Sequence, residues 1–105
     1  MSAASERRKE RLRKRARKEL GAAHDAGRPL AASADSPHHE GVRQTVSLQR
    51  TPAGTTNVRI EYYEPLEWDA TLDTEEREFA DLDTALGWLD LVQGVHWSQL
   101  HEPSS

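Results

Sequence analysis

Residues 82–92 read Leu-Asp-Thr-Ala-Leu-Gly-Trp-Leu-Asp-Leu-Val. At 100° per residue, Leu82, Ala85, Leu86, Leu89 and Val92 fall within an arc of about 120°, a wide apolar stripe for a helix. Asp83, Gly87 and Asp90 lie away from the stripe, and Leu91 is the one large apolar residue on the polar side. Asp83 offers an N-cap carboxylate for an orphan backbone N–H. Gly94 offers the left-handed residue that stops a helix. No other segment combines a start signal, a stop signal and a face to bury, so the core is expected to form against this helix.

The nearest partner for that face is a β-hairpin upstream. Val42, Val46 and Leu48 alternate with Arg43, Thr45, Ser47 and Gln49, and Val58, Ile60 and Tyr62 alternate with Arg59, Glu61 and Tyr63. The intervening Thr51-Pro52-Ala53-Gly54-Thr55 suits a three-residue loop, a type I turn closed by a left-handed glycine. That loop pairs Thr51 with Thr55, which places Leu48 opposite Val58 and Val46 opposite Ile60. A register shifted by one residue would mix the two faces.

Residues 64–74 read equally as strand or loop: Leu66, Trp68, Ala70 and Leu72 alternate, while Pro65 and the acids suit a loop. A short third strand is expected over 75–80 with Phe79 inward. A rival reading starts the helix at Asp73 and carries it through Phe79. The strand is preferred because Asp81 and Asp83 suit a helix start better than a helix interior. Beyond Gly94, Val95, Trp97 and Leu100 are expected to fold back and close the open end of the core.

The N-terminal part has a different character. Residues 5–20 read as a basic helix, with Ser5 as cap, Gly21 as stop and Glu10–Lys14 as an i,i+4 pair. Its apolar stripe of Leu12, Ala16 and Leu20 is too narrow for a core, so it is expected to be an arm outside the domain. Residues 21–41, rich in Ala, Gly, Ser, Pro, Asp and His, read as a flexible linker. The expected architecture is therefore α+β: a three-stranded antiparallel meander near 43–50, 56–63 and 75–80 packed against one C-terminal helix near 82–93. In domain terms this gives a basic helical arm at 1–20, a linker at 21–41, a small βββα domain at 42–101 and a frayed tail at 102–105.

Bulk composition fits one small domain: 105 residues, 35% hydrophobic and 30% charged. The absence of cysteine excludes disulfides and thiolate metal sites. No apolar run approaches the ~20 residues of a membrane span, and no signal-peptide core follows the basic start, so a soluble, cytoplasmic protein is expected. Charge is strongly polarised. Residues 1–20 carry nine Lys/Arg and three Glu, a net of +6, whereas residues 61–105 carry one Arg and twelve acids, a net of −11.

Chemistry-bearing motifs are sparse. There is no phosphate loop, nucleophile elbow, zinc-protease helix or calcium loop. His96 and Ser98 lack an orienting group and an oxyanion site, and His38-His39-Glu40 has no further ligands at useful spacing. No catalytic, cofactor-binding or metal-binding residue is expected, and the protein reads as a non-enzyme. The leading expectation is an interaction protein of inhibitor, immunity or adaptor type. It would dock a basic protein partner through Glu75, Glu76, Asp81, Asp83, Trp88 and Asp90.

The alternative is nucleic-acid binding by Arg7, Arg8, Lys9, Arg11, Arg13, Lys14, Arg15, Arg17 and Lys18 of the arm, with Arg43 and Arg59 on the outer face of the hairpin. A three-stranded sheet backed by one helix, with Arg43, Arg59, Gln49 and Tyr63 facing outward, resembles in topology the AP2-type and integrase arm-binding domains. With the basic helix ahead, the order α-β-β-β-α is similar to that of double-stranded RNA-binding domains. Asp81, Asp83 and Asp90 stand here where those RNA-binding domains carry lysines. The two oppositely charged ends are also expected to meet, as a loose, screened contact rather than a fixed helix packing.

Overall fold

The computed structural model describes residues 3–65 and 71–103. A helix α1 (Ala3–Asp25) leads into strands β1 (Leu30–Asp35), β2 (Arg43–Arg50), β3 (Thr56–Tyr63) and β4 (Thr71–Phe79). Helix α2 (Leu82–Trp88) follows, continues as a wider π turn over Leu89–Gln93, and a 3₁₀ turn (Trp97–Gln99) closes the chain. The four strands form one antiparallel sheet in the order β1-β2-β3-β4. The α+β composition expected from the sequence is present, with four strands rather than three.

The hairpin of β2 and β3 has the expected register, with Leu48 opposite Val58 and Val46 opposite Ile60. Its loop closes through Thr51 N–H donating to Thr55 C=O at 2.8 Å and Gly54 N–H to Thr51 C=O at 3.0 Å. Gly54 sits at φ 86°, where a side chain is strained. The additional strand is β1, which pairs Leu30 with Leu48 and Ala32 with Val46. It lies within the stretch expected to be flexible linker. Its small residues carry little strand propensity of their own; what fixes them is ladder pairing with β2 and burial of Leu30 and Ala32. The chain order is thus α-β-β-β-β-α, one strand more than in the RNA-binding domains of similar expected topology.

One face of the sheet is covered. Rows Leu30-Leu48-Val58 and Ala32-Val46-Ile60 pack beneath Leu82, Ala85, Leu86 and Leu89, with Val95 and Leu100 closing one end. The helix over 82–93 starts at Asp81 rather than Asp83: the Asp81 carboxylate accepts from Thr84 N–H at 2.8 Å, which also lowers its pKa. Gly94 ends it at φ 64°, as expected. Leu91 is 86% exposed, but Val92 leaves the stripe at 39% exposure. The wider π turn rotates Val92 outward and brings Gln93 in. Gln93 C=O then accepts from Gln44 Nε2 at 2.8 Å, and Gln93 Oε1 from the Tyr62 hydroxyl at 3.2 Å. These bonds tie the end of the helix to β2 and β3.

The first helix differs most from expectation. It runs four residues past Gly21 and ends at Gly27, φ 76°. There Gly27 N–H donates to His24 C=O at 2.9 Å and Arg28 N–H to Ala23 C=O at 3.0 Å, the paired bonds of a Schellman stop, with Pro29 following. That added turn brings Ala23, beside Leu20, into the same core as the sheet. The arm is consequently a fixed helix packing, not a loose contact.

This packing is testable on two leucines of one helix. Leu20→Ala removes a side chain that is 7% exposed and should cost about 2–3 kcal/mol in urea denaturation. Leu12→Ala, at 60% exposure, should stay within about 0.5 kcal/mol. Equal effects would mean that α1 is not part of the core.

Candidate nucleic-acid interface

Helix α1 is built from Arg, Lys, Glu, Ala and Leu, all good helix formers, and its 23 residues extend about 34 Å. Only its C-terminal third is anchored, by Leu20, Ala23 and His24; every side chain over residues 5–16 is exposed. The radius of gyration, 15.3 Å, exceeds the ~13 Å of a compact chain of this length because the helix projects from the domain.

The basic residues are not spread evenly around that projection. At 100° per residue, Arg7, Arg8, Arg11, Lys14, Arg15 and Lys18 fall in an arc of about 120°. The core-facing stripe of Leu12, Ala16, Leu20 and Ala23 lies on the far side of the helix. The six therefore form a ridge about 16 Å long pointing away from the protein. Among the described residues the one ion pair along the ridge is Arg15 Nε to Glu19 Oε1 at 3.3 Å, with both side chains largely exposed, so it restrains Arg15 weakly. Lys9 and Arg13 lie on the opposite side of the helix, on the flank of the Leu12–Ala16–Leu20 stripe. Arg17 turns inward and pairs with Asp83 on α2.

The hairpin arginines are elsewhere. Arg43 and Arg59 stand on the outer face of the sheet, whereas α1 covers the inner one. Arg43 Nη1 donates to Asp35 at 2.9 Å and Arg59 Nε lies 3.2 Å from Glu61, with Glu76 and Glu78 on the neighbouring strand. The structure does not bring the two basic groups together.

It also disperses the acids. Glu75 faces the inner side of β4, 2.7 Å from Arg77 Nε, while Glu76 faces the outer side. Asp81 is occupied as the cap of α2 and Asp83 by Arg17. Trp88 is half-buried beside Phe79, ring centroids 5.4 Å apart, and the Arg77 guanidinium lies 5.0 Å from its ring centre. Asp90 is exposed on the π turn. Among the described residues no cluster of three His, Asp or Glu can hold a metal ion, and no helix is long and apolar enough to cross a membrane.

Two side chains at α1 carried no functional signal in the sequence. His24 is 5% exposed, and its Nε2 is hydrogen-bonded to Thr56 Oγ1 at 2.8 Å. Burial lowers its pKa below the ordinary 6.5, opposed by the Asp25 carboxylate 3.8 Å away. Trp97, at the far end of the chain, stands against α1 beside Arg13 and lines three separate cavities there. Its sequence signal was a tryptophan after a helix stop, which reads as core closure. The Tyr62 hydroxyl, by contrast, has its pKa raised by burial and serves the glutamine contact within the fold.

Compared with known protein families, curated proteins and solved structures, the chain matches none.

The buried histidine sets a pH dependence for the anchor of α1. With its pKa lowered in the folded state, His24 binds its proton more readily when unfolded. Its contribution is complete above pH 6.5, the unfolded value, and is lost as pH falls from 6.5 toward the lowered folded value. The slope cannot exceed about 1.4 kcal/mol per pH unit for one proton. Urea denaturation at pH 7.5 and 5.5 should show stability falling with pH in the native chain, and a smaller fall in His24→Gln.

Proposed function

We propose that this protein binds nucleic acid through the outward ridge of α1, and that it is a binding protein rather than a catalyst. The observation that carries this reading is the placement of Arg7, Arg8, Arg11, Lys14, Arg15 and Lys18 on one side of an anchored helix, facing away from the domain. Each such cation that meets a phosphate releases condensed counterions, the main source of sequence-independent affinity. A ridge of about 16 Å matches roughly five phosphate steps of 3.4 Å along a strand axis. Because α1 is already docked by Leu20 and Ala23, part of the ordering cost of a basic tail is met in folding. A chain without cysteine fits a reducing compartment, and a cytoplasmic location is part of this reading.

Docking of a basic protein partner is the second reading. Its acids are mostly engaged within the fold, since Glu75, Asp81 and Asp83 each have an internal partner. It retains Glu76, Asp90 and the outer edge of β4.

Fluorescence anisotropy with a labelled 20-base-pair duplex, from 50 to 200 mM salt, tests the proposal. Six phosphate contacts predict a slope of log K against log salt near −5. The charge-reversed Arg7→Glu/Arg11→Glu/Lys14→Glu chain, altered only at exposed positions, should lose at least ten-fold in affinity at 50 mM salt and show a shallower slope. No binding at 50 mM salt, or full binding by the reversed chain, would overturn it. Binding of a polybasic peptide that is lost in Glu76→Lys/Asp90→Lys would favour the protein partner instead.

A further inference from the structure

At the base of the projecting helix, the chain's last structured turn holds an aromatic ring among cations. Trp97 opens the 3₁₀ turn, and the turn is pinned from several directions. His96 N–H donates to Gln99 Oε1 at 2.8 Å, Ser98 N–H to His96 Nδ1 at 3.2 Å, and Leu100 N–H to Trp97 C=O at 3.1 Å. Val95 and Leu100, on either side in sequence, are buried at 1% and 7% exposure. Trp97 itself packs against the core yet stays half-exposed. Its backbone is therefore fixed while part of its indole remains open.

The open part looks onto cavities along α1. One of about 520 Å³ is bounded by Trp97, Arg13, His96 and Ser98. The largest, about 710 Å³, joins Trp97 and Arg13 to Lys14, Arg17 and Lys18, with Asp25 the one acid on its wall. A third, about 270 Å³, is mainly apolar, set between Leu12, Ala16, Leu20 and Trp97. The imidazole of His96 lies 5.2 Å from the indole, tilted by 37°. Lys14 and Lys18 belong both to the outward ridge and to the wall of the largest cavity.

We infer that Trp97 is a stacking platform for an unpaired base, and that the preferred ligand of this site is single-stranded nucleic acid. The inference deepens the nucleic-acid reading of α1 and rests on it. A strand tracked by the ridge through its phosphates reaches the cavity along Lys14 and Lys18. Arg13 supplies a further cationic donor there, and the indole supplies a flat π face. Every base has such a face, so stacking is tolerant of sequence and adds to phosphate contacts without a base-reading code. In a duplex the bases are already stacked on each other, and opening them costs a few kcal/mol. The indole therefore discriminates between strand states rather than between sequences.

The test compares a 12-nucleotide single strand with a 12-base-pair duplex, both labelled, by anisotropy at 50 mM salt with the full chain. The native chain should bind the single strand more tightly than the duplex. Trp97→Leu keeps apolar volume for the core and removes the π face; it should weaken single-strand binding about ten-fold and leave duplex binding unchanged. Trp97→Phe, which restores a ring, should recover most of the loss. A thermal melt of each variant establishes that it is folded. Equal affinity for the two forms, or single-strand binding by Trp97→Leu equal to that of the native chain, overturns the stacking site while leaving the ridge intact. Failure of the native chain to bind either form overturns the ridge itself.

Discussion

A sheet with one apolar face must be covered across its whole width. Four strands at about 4.8 Å spacing span some 14 Å between outer axes, whereas one helix with its side chains is about 10 Å across. Helix α2 and its π turn cover the β3–β4 side and leave the β1–β2 side open. Leu30, Ala32 and Leu48 would then meet water, and each fully buried aliphatic side chain of leucine size is worth about 1.5–3 kcal/mol. The C-terminal turns of α1 fill that gap with Leu20 and Ala23. This requirement for a second covering helix joins the N-terminal segment to the domain.

The same requirement explains why α1 has two characters. Covering the sheet takes only the turns around Leu20 and Ala23, and the remaining length meets only the 3₁₀ turn at Trp97. The sequence responds with charge: between Ala3 and Ala16, Leu12 is the one large apolar residue, and it is exposed. A helix this basic is marginal in isolation, because like charges crowd along one side. Anchoring one end supplies the tertiary packing that keeps the helix formed, so the ridge holds a fixed direction relative to the sheet.

Legibility from sequence followed how local the deciding interactions are. The β2–β3 hairpin was legible to the residue, because Pro52, Gly54 and the two-residue alternation are all close in the chain. The helix over 82–93 was legible in extent, although its cap fell on Asp81 and its last turn widened to admit Gln93. Strand β1 was not legible: Leu-Ala-Ala-Ser-Ala-Asp has the composition of a linker, and its identity comes from pairing with the strand that follows it. The extension of α1 past Gly21 was hidden for a related reason, since Ala23 and Leu20 gain their burial from the distant sheet. In the candidate site, the basic residues were visible as composition, but their grouping into one ridge, the separation of Arg43 and Arg59 from it, and the position of Trp97 beside Arg13 all depend on tertiary placement. The acids read as one face because they are close in sequence, yet strand alternation sends Glu75 and Glu76 to opposite sides.

The two edges of the sheet have different fates. On β1 the backbone of Ala31 is taken up by His101, whose N–H donates to Ala31 C=O at 3.0 Å and whose C=O accepts from Ala31 N–H at 2.8 Å. No such cover lies over β4 among the described residues, and a nine-residue strand with free ladder groups invites another strand to join it. Its side chains oppose this. Asp73, Glu75, Glu76 and Glu78 would confront their own counterparts in a parallel, in-register pairing of β4 with β4, and like charges set directly across a ladder are unfavourable. Aggregation through the open edge is thus discouraged by the charge pattern of the strand itself, and neutralising those carboxylates removes the guard.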